Sequence, residues 1–284
     1  MAQLTTSPKT HKSHAMGFHD EKLLGRSRQV FFSATEEENL LYPDACAVDF
    51  NKRAEFDAAE MDTTAINRKI NELIRQGHGH IVVQNPNAKH SLGVGILNRL
   101  KLDFEGSLGY FGVGLIDGPN VRIRGRVGWS CGENMLAGTI VIEKNAGSCL
   151  GASLRGGDLV CKGDVGGRTG ISMKGGMILV GGRTGSLSGF MMQRGRMVIL
   201  GDADDNLGDS MYDGAIFVGG KIKSLGVDAV PGELTELDIA WLTRKLALYG
   251  MKAPRGVNNM QKIVAGKQLW NYDKLEPAEK KIVL

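Results

Sequence analysis

A short aliphatic segment returns at a nearly constant interval through the middle of this chain, and that recurrence restricts the fold more than any other feature. The segments are VRI at 121–123, IVI at 140–142, LVC at 159–161, ILV at 178–180, VIL at 198–200 and IFV at 216–218, with starts 19, 19, 19, 20 and 18 residues apart. Each is too short to make a sheet alone. Stacking equivalent segments in successive coils solves this, because the strands then form parallel ladders and their aliphatic side chains fill one narrow interior. The expected fold is an all-β core, a right-handed parallel β-helix or solenoid of about six or seven turns.

Glycine fits the same plan. The chain has 40 glycines in 284 residues, about twice the usual ~7%. Seven prolines and no G-x-y period exclude collagen and low-complexity explanations. Gly125, Gly163, Gly181, Gly201 and Gly219 follow the repeated segments and are read as structural. Glycine there permits either a positive φ or an approach between coils that a side chain would block.

The flanks read differently. Residues 1–54 are polar and irregular, an extended amino-terminal docking arm. Residues 55–101 form a helix-strand lead-in and cap. Asp62 or Thr63 caps a helix reaching Arg75, Ile66, Ile70, Leu73 and Ile74 share its apolar side, and Gly77 stops it. IVV at 81–83 is expected as one strand, NPNAKH as a turn and SLGVGIL at 91–97 as a second strand. Residues 102–225 hold the glycine-rich solenoid, and 226–284 a helical cap and docking tail. Both helical regions are expected to cover coil ends, since unpaired parallel strands invite edge-to-edge association.

Composition and motifs exclude several chemistries. With 35 Lys and Arg against 31 Asp and Glu the formal charge is +4, without the dense basic run of a nucleic-acid binder. The start lacks an apolar signal-peptide core and no 18-residue apolar segment exists, so a cytoplasmic, membrane-free protein is expected. Cys46, Cys131, Cys149 and Cys161 match neither a zinc framework, an iron-sulfur signature nor a disulfide scaffold. The glycine-rich GVG and GGRTG fragments lack the βαβ setting of a dinucleotide site, and AIFVGGKIKS fails the P-loop spacing.

Some residue groups keep two readings. His11, His14 and His19 are solvated or bind metal. His78, His80 and His90 either converge on a metal or hydrogen-bond along a strand edge. Asp202, Asp204, Asp205 and Asp209 either bind calcium or serve turn hydrogen bonds, and their spacing is not that of an EF-hand. GGRTG at 166–170 and 181–185 places Arg168 and Arg183 at related solenoid positions, where they hydrogen-bond between coils or meet a partner subunit. Trp129 with Asp202 raises a carbohydrate-binding or hydrolytic β-helix, but no carboxylate pair with an aromatic run supports it.

The phrases NPNAKHSLGVGIL, GGRTG and GDADDNLGDSMYDGAIFVGG carry a family resemblance across about residues 55–225. The chain resembles the GXGXG β-helix domain of glutamate synthase large subunits, and in particular the small GXGXG subunit of N-methylglutamate synthase complexes. The resemblance implies a noncatalytic assembly subunit with no catalytic, cofactor or metal residues of its own. It implies a hetero-oligomer with a class II amidotransferase-like subunit and an FMN-binding glutamate-synthase-like subunit, with FMN and iron-sulfur clusters held by those partners. The complex would make N-methylglutamate and ammonia from glutamate and methylamine. The alternatives are a glutamine-dependent glutamate-synthase-like complex and the C-type subunit of a formylmethanofuran dehydrogenase or formyltransferase/hydrolase complex, which uses a related β-helix.

Overall fold

A computed structural model describes residues 46–266. Strand β1 (Asp49–Asp57) leads to helix α1 (Thr63–Arg75) and strand β2 (His78–Gln84). Seven strands follow: β3 (Lys101–Glu105), β4 (Asp117–Ile123), β5 (Ala137–Ile142), β6 (Asp158–Cys161), β7 (Lys174–Val180), β8 (Arg194–Ile199) and β9 (Ala215–Val218). The chain closes with β10 (Ala229–Gly232), helix α2 (Glu236–Leu248) and β11 (Gln261–Ala265). From β1 to β9 neighbouring strands pair in parallel and in chain order, one strand per coil. The expected parallel solenoid is the fold.

The pitch is tighter than the aliphatic segments suggest. Leu102 pairs with Val121, and the ladder continues through Ile140, Leu159, Ile178, Met197 and Ile216, every step 19 residues. The apparent steps of 20 and 18 arise because Met197, not Val198, fills the interior position of β8. Methionine is flexible enough to take an aliphatic place in a narrow core, which disguises the register. A second ladder of single bridges keeps the same interval through Leu108, Val127, Ala146, Val165, Thr184, Ala203 and Ile222.

SLGVGIL is not a strand. Its Ser91, Gly93 and Gly95 have φ of 54°, 67° and 71°, so every second residue is left-handed and the segment is a coil corner. Alternation between two backbone conformations imitates the period-two pattern of a strand. The strand that pairs with β2 is β3.

Both helices form where expected. Asp62 caps α1 by accepting from Ala65 N at 2.7 Å, and the helix buries Ile66, Ile70, Leu73 and Ile74 in the core that also contains Ile81 and Val83. Helix α2 begins with a capping box between Thr235 and Asp238. It does not cover a coil end. Instead it lies along the outer face of the sheet, where Trp241, Leu242 and Leu246 pack with Val160, Leu179, Val198 and Phe217. The last coil is closed by β11, which pairs antiparallel with β9 and then β10, placing Ile263 in the interior core. Part of the stretch read as a docking tail is therefore a strand of the sheet.

Candidate functional site

The outer column of the sheet changes chemistry along the stack. Glu55, Val82, Asp103 and Arg122 stand in its first four coils; Val141, Val160, Leu179, Val198 and Phe217 continue it. The apolar part is the seat of α2, and a buried polar clamp sets the helix there. Asp158 Oδ2 accepts from Lys245 Nζ at 2.6 Å and from Tyr249 Oη at 2.5 Å. Burial first, and then the Asp158 charge, push the Tyr249 phenol far above its usual range, so it stays a donor. Arg196 adds a cation–π contact 4.5 Å from the Trp241 ring centroid. Lys262 reaches Asp238 at 2.7 Å; burial opposes ionisation of Asp238, but Lys262 and Thr235 outweigh it and hold the carboxyl below its ordinary value.

The uncovered coils carry ion pairs instead. Glu143 accepts from Arg122 at 2.6 Å and Lys162 at 2.8 Å, and Glu105 meets Arg124 at 3.3 Å. Burial opposes the charge on Glu143, yet these two cations keep its carboxyl below the usual range. Charges of alternating sign one coil apart neutralise each other across the ladder.

The three imidazoles between 78 and 90 do not converge. The His78 ring bonds Leu73 O at 3.1 Å, His80 Nε2 meets Asp103 Oδ2 at 2.8 Å, and His90 Nδ1 accepts from Tyr110 N at 2.8 Å. His90 also stacks on Tyr110 with centroids 4.7 Å apart. His11, His14 and His19 lie outside the described residues. The aspartates of the 202–209 loop are engaged between coils: Asp202 accepts from Lys221 N, Asp204 and Asp205 share Lys223, and Asp209 accepts from Ser210 and Val227. Among the described residues no group of three or more His, Cys, Asp or Glu is arranged to hold a metal ion. Cys131 and Cys161 are buried; burial raises both thiols, Cys161 to about 11, so neither is a ready thiolate near neutral pH. Cys46 and Cys149 are half-buried.

Arg168 and Arg183 do not occupy related positions. The two GGRTG copies are 15 residues apart, whereas a coil advances 19. Arg168 belongs with Cys149 and Leu187 at a left-handed corner (φ 55°), and its side chain is exposed. Arg183 lies just before the bridge residue Thr184, in line with Asp164 and Asp202, and approaches Asp164 at 3.7 Å. The identical pentapeptides are a coincidence of composition between two different parts of a coil.

The glycines divide into two sets. Gly125, Gly163, Gly181, Gly201 and Gly219 are not left-handed; each would drive a Cβ into the previous coil. At Gly201 it would lie 2.7 Å from Gly182 C, at Gly219 2.7 Å from Leu200 O, and at Gly181 it would strike Lys162 O. Left-handed glycines recur elsewhere in two columns, Gly138, Gly157, Gly176, Gly195 and Gly214 in one and Gly132, Gly151, Gly170, Gly189 and Gly208 in the other. Those of the second column form the middle of a corner in which three alternate residues have positive φ, as at Cys149, Gly151 and Ser153.

No family model matches the chain. Over 88 residues it is 38% identical to Protein GlxC of Rhizobium meliloti (strain 1021), a match spanning 30% of this chain and 38% of that protein. The chain thus corresponds to well under half of that relative's length. No helix among the described residues is long and apolar enough to cross a membrane.

Proposed function

We propose that this chain is the noncatalytic structural and assembly subunit of a glutamate-synthase-like complex, specifically N-methylglutamate synthase. The observation that carries the reading is the coil itself: a constant 19-residue step whose corner alternates left-handed residues around a glycine. This is the geometry beneath the motif through which the sequence resembles the GXGXG domain, and the local identity to Protein GlxC supports the same relation. In this reading an amidotransferase-like and an FMN-binding subunit carry out the chemistry, which joins methylamine to the glutamate skeleton with release of ammonia. The solenoid holds those subunits in register, in the cytoplasm.

The test is isolation of the tagged full-length chain from its source cell. Stoichiometric amidotransferase-like and FMN-containing partners are expected, and the assembly should form N-methylglutamate from glutamate and methylamine. FMN retained by this chain after the partners are removed would overturn the noncatalytic role. Partners with a molybdenum or tungsten pterin centre, or an amidohydrolase-like metal site, would transfer the chain to the one-carbon class.

A further inference from the structure

One corner of the solenoid carries exposed side chains that the coil has no use for. Tyr110, Phe111, Leu115, Trp129 and Leu136 are all exposed, with Trp129 at 58%. They fall within the corners of two successive coils, since Phe111 N donates to Trp129 O and Leu115 N to Glu133 O. Tyr110 and Trp129 continue the stack begun by His90, with centroids 5.6 Å apart. An apolar group this concentrated is unusual for a surface that faces only water.

The same corner turns basic in the next coils. Leu136, Arg155 and Lys174 are equivalent residues one coil apart, each donating its N–H to the coil before: to Ile116 O, Met135 O and Leu154 O. At about 4.8 Å per coil, Arg155 borders the apolar group directly and Lys174 follows it. Arg168 stands in the column of Phe111. None of these three cations is in an ion pair among the described residues, in contrast to the neutralised ladder on the outer sheet. Lys174 shows the consequence: burial and then the Arg155 charge lower its amine below the usual value. Two like charges held side by side without a carboxylate are electrostatically incomplete.

We propose that this corner is a docking surface for a partner protein that presents an apolar patch bordered by carboxylates. The proposal rests on the assembly reading above and names the surface through which assembly occurs. Trp129 and Tyr110 are rigid aromatic anchors of the kind that dominate interfaces, and the adjoining cations select an acidic border and orient it.

The experiment uses the full-length chain isolated with its partner, identified by mass, then separated and re-mixed. Replacing Trp129 and Leu136 together by Ser should weaken re-association about tenfold or more. Arg155→Glu should weaken it as well, and wild-type affinity should fall as salt rises. Control substitutions Leu237→Ser and Leu248→Ser, at exposed positions of α2, should leave it unchanged. Independently of any variant, a carbodiimide that joins amines to carboxylates should couple Lys174 to an acidic residue of the partner. Re-association unaffected by the corner substitutions, with no coupling at Lys174, would overturn the surface while leaving the assembly reading in place. So would finding a second copy of this chain on the corner. A wild-type chain that isolates without a stoichiometric partner would overturn the assembly reading, and this surface with it.

Discussion

At Gly151 the backbone has φ of 64°, and a Cβ built there would lie 2.8 Å from both Leu159 Cδ2 and Ile178 Cδ1, in the interior columns. Its neighbours Cys149 and Ser153 are also left-handed, at 60° and 54°, yet are not glycine. The difference is the direction of the side chain. Only the middle residue of the corner faces the packed interior, so among these three it alone combines conformational cost with overpacking. Conformation and contact can be separated experimentally. Gly95 is left-handed (71°) with nothing within 4 Å of a built Cβ, whereas Gly176 (73°) would place one 2.7 Å from Gly157 O. Gly95→Ala should cost about 1–2 kcal/mol, the left-handed penalty alone. Gly176→Ala should cost at least ~3 kcal/mol, because a carbonyl in a hydrogen-bonded ladder must also move. Urea midpoints of the two variants decide this, and equal losses would refute the division. Recurrence of glycine is visible in the sequence, but its reason is not. Gly182, in line with Gly163 and Gly201, and Gly176, in line with Gly157 and Gly195, recur at the same interval and look alike until φ and the neighbouring coil are known.

The strands were legible for a reason that also obscured the helix. In β7, Ile178 and Val180 face the interior while Met177 and Leu179 face α2, so the whole run is apolar. In β4, by contrast, Arg122 is exposed between buried Val121 and Ile123. The passage from VRI to ILV therefore marks where a second layer covers the sheet, a signal present in the sequence that points to a flank helix rather than an end cap. What the sequence could not show was the partner of Asp158, because Lys245 and Tyr249 lie 87 and 91 residues away. The clamp has a defined energetic signature. Lys245→Met removes the ammonium that meets the largely buried Asp158 carboxylate at 2.6 Å and should destabilise the fold by about 2 kcal/mol or more. Tyr249→Phe removes one hydrogen bond to the same charge and should cost about 1.5–3 kcal/mol. If α2 merely rests on the sheet through Trp241 and Leu242, both losses in thermal or urea unfolding would stay below about 1 kcal/mol.

A stack of coils has no intrinsic end, so the molecule must supply two. At the amino-terminal side β1 extends the parallel sheet by one strand, and its exposed residues include Lys52, Arg53 and Glu55. Charge on an edge strand discourages further pairing. At the other side the chain reverses direction: β11 pairs antiparallel with β9, and the parallel series stops. Reversal works because a following parallel coil would need another 19-residue step, while an antiparallel strand followed by the short β10 ends the ladder within a few residues. Arg255 reinforces the closure by donating to the carbonyls of Gly219 and Gly220, just past β9. The same return path lays α2 on the outer face, so one segment covers both the end and the flank. Truncation after Leu225 should therefore do more than loosen the carboxyl-terminal side. It would uncover Phe217, Val198 and Leu179 together with the unpaired edge of β9. The truncated chain should associate into parallel stacks that grow with concentration, read as a rising mass in light scattering and retained β signal in circular dichroism. A truncated chain that stays folded and monomeric would mean that the solenoid closes its own last coil, and the reversal would then serve α2 alone.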